Sequence, residues 1–173
     1  DDVNLRLSLA LVAFDNKHDD LARRELEALR DSDVLGDEAN YFLGLLAQRQ
    51  NRPEDALAAF EAVQPGNQYL PAQAEIVRLL NARGEAAQAR ERLASARLQV
   101  PELATSLYQL EAELMSENGD NAGAWEVLSA ALAQQPDNLE LRLSRAMVAE
   151  QLDELEAFEA DVRTILKRNP DNA

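Results

Sequence analysis

Residues 53–63 read PEDALAAFEAV and set a small side chain, Ala56, four positions before a large one, Phe60. Residues four apart share a helix face, so the stretch offers a gap and a filler side by side. The same pair returns along the chain. DDLARRELEAL (19–29) carries Ala22 and Leu26, EAAQARERLASA (85–96) carries Ala89 and Leu93, and NAGAWEVLSAAL (121–132) carries Ala124 and Leu128. The small residues stand 34, 33 and 35 positions apart, and ELEAFEADVRTI (154–165) puts Phe158 another 34 on. Pro101, Pro136 and Pro170 keep this register, and the tripeptide Pro-Asp-Asn at 136–138 recurs at 170–172. Such a period marks a tandem array of one supersecondary unit.

Each unit reads as two amphipathic helices. In the second, Ala39, Phe42, Leu43, Leu46 and Ala47 recur at helical spacing until RQNRP (49–53) breaks the pattern. Pro53 suits the first turn of the next helix, where its missing N–H is harmless, and QPGN (64–67) ends that helix. In the fourth unit ENGDNAG (117–123) is the turn, with Gly119 suited to a left-handed C′ position and Asp120 to an N-cap. Either Asp137 or Asn138 is placed to cap a helix beginning near Leu139.

Composition agrees. The chain has 173 residues, 46% hydrophobic and only 5% aromatic, with Ala and Leu dominant. This is helix-forming material, poor in β-branched residues. With no Cys, thiol catalysis and thiolate metal sites are excluded. Apolar runs are far too short to span a membrane, so direct membrane insertion is not expected. The net charge of −15 argues against nucleic acid or an anionic membrane surface as partner. It serves solubility, or it suits a basic partner.

These residues resemble the tetratricopeptide repeat (TPR) family, a 34-residue helix–turn–helix. Leu43-Gly44, Ala56 and Phe60 match best; Tyr108, Ala112, Ala124, Leu128, Ala131 and Pro136 match in the fourth unit, and Ala89, Leu93, Ala96 and Pro101 in the third. The first unit keeps Ala22 but has Ala10 and Val34 where the family has Gly and Pro. Phe158 stands where a small residue belongs, so the last helix pair is expected to splay. The resemblance implies an all-α, right-handed α-solenoid of about five units and ten helices. They form one domain over 1–173, with repeats near 3–36, 37–69, 70–104, 105–138 and 139–172. Gly44 and Ala56 then let backbones approach, and Phe60 and Leu93 fill the space between units. The chain opens inside a repeat with no capping turn and ends where a sixth unit would begin, so it reads as a fragment of a longer array, with any targeting segment elsewhere.

No catalytic constellation is visible, and neither cofactor nor metal is expected. The single His, His18, falls in the turn between the first two helices. GDNAG (119–123) lacks the Lys-Ser/Thr of a phosphate loop and reads as a turn. The carboxylates of EQLDELEAFEAD (150–161) read as a solvated helix face rather than a calcium loop.

In the TPR family the first helix of each unit lines an inner groove that holds a partner. The resemblance carries that role to Asn4, Leu7, Leu11 and Phe14; to Tyr41, Leu45, Gln48 and Arg49; to Arg78 and Asn81; to Gln109, Glu113 and Glu117; and to Met147 and Glu150. The Lys and Asn clamp by which TPR co-chaperones grip a terminal carboxylate is absent: Leu7, Leu11, Phe42, Pro71 and Glu75 hold those positions. The groove runs from apolar to acidic, which suits a protein or peptide with an apolar anchor and basic residues. Alternatively, Leu7, Phe14 and Phe42 pack internally or against a preceding repeat. Residues 105–138 carry six carboxylates and no Lys or Arg, whereas 70–104 carry five Arg against four Glu. This contrast steers a basic ligand to the fourth unit or favours contacts between units. The expected function is a non-catalytic scaffold or adaptor, the alternative a self-associating structural spacer. Fifteen Arg against two Lys suggests a GC-rich bacterial genome. The chain resembles bacterial TPR arrays that often belong to the cell envelope, and that resemblance implies a scaffold for polysaccharide export or for delivering substrates to a processing protease. The same resemblance implies a periplasmic or outer-membrane lipoprotein setting, with the cytoplasm as alternative.

Overall fold

The computed structural model describes residues 2–168. Among these lie ten α-helices and no strand. They run α1 (Val3–Asp15), α2 (Asp19–Glu27), α3 (Gly36–Arg49), α4 (Pro53–Glu61), α5 (Tyr69–Ala82), α6 (Ala86–Gln99), α7 (Ala104–Glu117), α8 (Asn121–Gln134), α9 (Leu139–Gln151) and α10 (Leu155–Arg168). A 3₁₀ turn, Pro101–Leu103, precedes α7. The contacts form two compact units, one ending at Ala89 and the other beginning at Arg90, within α6.

The turns between paired helices share one geometry. Lys17, Asn51, Gly84, Gly119 and Asp153 each take a positive φ, between 55° and 80°. The next residue's N–H then reaches back to a carbonyl five positions earlier: His18 to Ala13 (2.8 Å), Arg52 to Ala47, Glu85 to Leu80, Asp120 to Met115 and Glu154 to Ala149. This C-terminal cap satisfies carbonyls that a helix end would leave orphaned. Starts are capped locally. Asp120 accepts from the Gly123 N–H at 3.0 Å, and Asn138, not Asp137, accepts from Glu140 and Leu141, both at 3.1 Å. Pro53 opens α4. Asp2 caps α1, accepting from the Asn4 and Leu5 N–H groups.

In the first unit Leu7, Ala10, Leu26, Leu29, Leu35 and Ala39 form a core against which Leu11, Phe42 and Leu43 pack. Ala13, Ala22 and Leu46 continue it. Ala56 and Phe60 are fully buried, and a Cβ built on Gly44 would strike the Phe60 ring. In the second unit Ala112, Ala124, Leu128, Ala131, Leu132, Leu141 and Val148 make the core. Ala89 and Leu93 are buried on α6. Pro136 lies between α8 and α9; Pro170 lies outside the described residues.

Two further expectations are corrected on α9 and α10. The pair does not splay: α10 packs on α9. Phe158 is only half-buried, so its ring does not wedge the helices apart. The carboxylates of 150–161 do not share one solvated helix. Asp153 breaks the chain direction between α9 and α10, and Asp161 is 1% exposed. Asp161 accepts from Arg142 at 2.9 Å and from Arg145 at 2.8 Å, so its charge is neutralised in the seam.

Candidate partner-binding faces

In the first unit the candidate residues lie on α1, α3 and α5. Asn4 is exposed at the start of α1. Leu7 is not on an open face; it is 9% exposed, inside the core. The reason is that α1 is apolar nearly all round, so its sequence has no polar side to show which Leu turns outward. Leu11 is half-buried on the same core. The Phe14 ring meets Phe42 edge-on at 5.5 Å and carries the Arg49 guanidinium 4.2 Å above its centre. Arg49 also donates to the Phe14 carbonyl at 2.9 Å and pairs with Asp19. It is therefore committed to joining α1, α2 and α3, rather than free for a partner.

The least committed part of this face is Tyr41 and Leu45, both half-buried, with the polar edge of α5 beside them. Tyr41 lies 5.6 Å from Phe42 and 5.8 Å from Phe60, ring to ring. Burial, then the Glu75 charge, raises its phenol above the ordinary value of 10.0. Gln48 donates to Glu75 at 3.0 Å, and Arg78 donates to the other Glu75 oxygen at 2.8 Å. Asn81 is half-buried near the end of α5.

In the second unit α7 and α9 bound a cleft of about 560 Å³. Gln109 donates to Ser144 at 2.9 Å and ties the helices together at one end. Ala112, Leu128 and Val148 supply apolar lining, with Glu113, Ser116, Glu117, Met147 and Gln151 around them. Met147 is 55% exposed, a large cost for an apolar side chain left in water. Glu113 and Glu117 are exposed and have no ion-pair partner among the described residues. Glu150 is exposed on α9 but does not line the cleft. Sequence spacing marks Gln109, Glu113, Glu117 and Met147; it gives no sign that Leu128 and Val148 complete the lining, because both read as ordinary core.

His18 is exposed at the start of α2, and no cluster of metal-ligating side chains occurs among the described residues. Gly119 and Asp120 are the turn and the cap of α8, with no strand before them. No helix among the described residues is long and apolar enough to cross a membrane.

Comparison with other proteins agrees with this architecture. The sequence model of the tetratricopeptide repeat matches residues 7–71 and 110–173. The TPR repeat-containing protein PA4667 of Pseudomonas aeruginosa is 40% identical over 137 residues, 79% of this chain. The chain spans 23% of that relative's length. Among solved structures, pilF of Pseudomonas aeruginosa superposes with a TM-score of 0.57 at 15% identity, covering 97% of this chain and 77% of that one. TTC0263, a thermophilic TPR protein of Thermus thermophilus, gives 0.53 at 20% identity, covering 97% and 92%. At such identities the two structures speak for the fold alone. Helical hairpins at a 34-residue period, a shared turn geometry and these matches place the chain in the tetratricopeptide repeat family, whose members are typically non-enzymatic and generally mediate contacts between proteins.

Proposed function

We propose that this chain is a docking scaffold that holds a segment of a partner protein against the first helices of its hairpins. The cleft between α7 and α9 carries the reading. It is an open hollow of about 560 Å³ in which Ala112, Leu128, Met147 and Val148 lie among polar side chains, with two unpaired carboxylates, Glu113 and Glu117, on its rim, a mixed surface that suits a ligand with both apolar and polar groups. Tyr41 and Leu45 give the first unit an apolar patch of the same kind. The partner this chemistry suits has apolar anchors and basic residues.

The setting we propose is a bacterial envelope assembly, either polysaccharide export or delivery of substrates to a processing protease. Resemblance to bacterial TPR arrays supports this, and the 40% identity to a Pseudomonas protein supports a bacterial context. The test is affinity capture from a bacterial envelope extract by the wild-type chain and by a variant with Tyr41, Leu45 and Met147 all replaced by Ser. Circular dichroism checks that the variant keeps its helices. Capture that survives the triple replacement contradicts the reading; loss of a specific partner is expected.

A further inference from the structure

We infer that the hollow between α2 and α4 is an anion site, in which Arg23, Arg30 and Arg52 take a carboxylate or phosphate group carried on a short apolar stem. It lies on the second helices of the first two hairpins, so it is separate from the docking face on the first helices. Arg23 and Glu27 of α2, Arg30 just beyond it, and Arg52 and Asp55 at the start of α4 supply its polar lining. Its apolar lining comes from α3 and α4, Leu43 and Ala58 among it.

The charges around this hollow run against those of the chain. With 32 acidic residues to 17 Lys and Arg, carboxylates are in excess. Arginines elsewhere meet them: Arg49 pairs with Asp19, Arg97 with Glu111, and Arg142 and Arg145 with Asp161. Arg23 and Arg30 line the hollow without an ion pair among the described residues. Asp19 feels the Arg23 charge but is already held by Arg49. Of the lining carboxylates, Asp55 is taken by Arg52 at 2.7 Å. Glu27 alone is left to oppose two unpaired guanidinium groups.

A second observation is the convergence of those groups. Arg23 and Arg52 donate to one acceptor, the Gln50 side-chain oxygen, Arg52 at 2.8 Å. A neutral amide oxygen joins them but cancels neither charge, and like charges so placed repel. An oxyanion beside them would offset that repulsion and match the planar donor forks. Arg30, exposed on the same rim, adds a third guanidinium. Half-buried Leu43 and exposed Ala58 leave apolar surface for a stem of a few carbons. The volume, about 270 Å³, falls below the range of drug-sized pockets and suits a small ligand.

The experiment is an NMR titration of the 173-residue chain that follows the arginine Nε–Hε resonances. The probes are N-acetylleucine, monobutyl phosphate and, as an uncharged counterpart, N-acetylleucine amide. Saturable shifts of Arg23, Arg30 and Arg52 are expected with at least one anion, and the tighter of the two identifies the group. The amide should bind at least about tenfold more weakly, the scale of one lost charge-assisted hydrogen bond. Arg23→Gln/Arg30→Gln should weaken the anion by at least about tenfold as well. Arg163→Gln/Lys167→Gln, the same loss of charge at exposed positions of α10, should leave it unchanged. Arg30→Gln alone, at an exposed position, should lose part of the affinity and serves if the double variant unfolds. The site is overturned by amide binding equal to the anions', by no saturable shift with either anion, by equal loss on the α10 variant, or by wild-type affinity in Arg30→Gln. None of these outcomes touches the docking reading.

Discussion

A methyl group on Gly44 would stand inside the contact radius of the Phe60 ring. Phe60 is itself fully buried, so the ring has nowhere to retreat. Gly44→Leu should therefore cost about 1–3 kcal/mol by overpacking. A urea melt equal to wild type would remove this contact from the packing scheme. Asp161 is the opposite case, a charge rather than a gap. Asp161→Ala strands two partly buried guanidinium groups and should cost about 3–5 kcal/mol, read in the same melt; a loss below about 1 kcal/mol, the range of exposed pairs, would show the seam to be solvated. The two residues differ in legibility. Gly44 is readable because glycine in a helix pattern demands a reason, and the ring that supplies it, Phe60, lies on the next helix. Asp161 is not, because an acidic residue among other acidic residues looks solvated until the arginines of a neighbouring helix are placed beside it.

At the scale of elements, the turns and caps decide where helices begin and stop. Lys17, Asn51, Gly84, Gly119 and Asp153 repeat with the same 34, 33, 35 and 34 steps as the aligned positions of the second helices. The glycines announce a left-handed turn most strongly and Asn51 and Asp153 more weakly, whereas Lys17 adopts it because the hydrogen-bonded cap requires it. Two residues compete to cap α9, and only Asn138 does so. Asn138→Ala should cost about 1 kcal/mol, whereas Asp137→Ala, whose side chain makes an exposed pair with Arg168, should stay within about 0.5 kcal/mol. Equal thermal midpoints for the two variants would contradict the assignment.

Asp19 joins elements rather than capping one. Gln50 donates to it at 3.0 Å, and chiefly this bond, with the Arg49 charge adding to it and burial opposing, holds its carboxyl below the ordinary value of 3.8. A lowered value in the folded state contributes stability above the unfolded value and loses it as pH falls through the folded one. The urea midpoint of the wild type should thus drop more between about pH 5 and about pH 2.5 than that of Asp19→Asn. Parallel pH profiles would show that the carboxylate does not link α2 to α3.

At the scale of the molecule, the period alone conveys the helical hairpins and most of their seams. A repeat must bury its stripe against a neighbour, so small and large residues return in step. The binding faces are less legible. Leu7 and Arg49 occupy groove positions by spacing, yet one sits in the core and the other is committed to Phe14 and Asp19. A spacing rule locates a helix face but does not say which side chains the fold has already used. What the fold leaves uncommitted is the half-buried pair Tyr41 and Leu45 in one unit, and the cleft around Met147 in the other.

On this reading the first helices, not the second, hold the partner. Hydrogen exchange followed by mass spectrometry, on the chain alone and bound to its captured partner, tests this directly. Added protection should fall on α3, α5, α7 and α9, strongest across residues 109–117 and 144–151, with α4 and α8 unchanged. Protection concentrated on the second helices, α4 or α8, instead would contradict it.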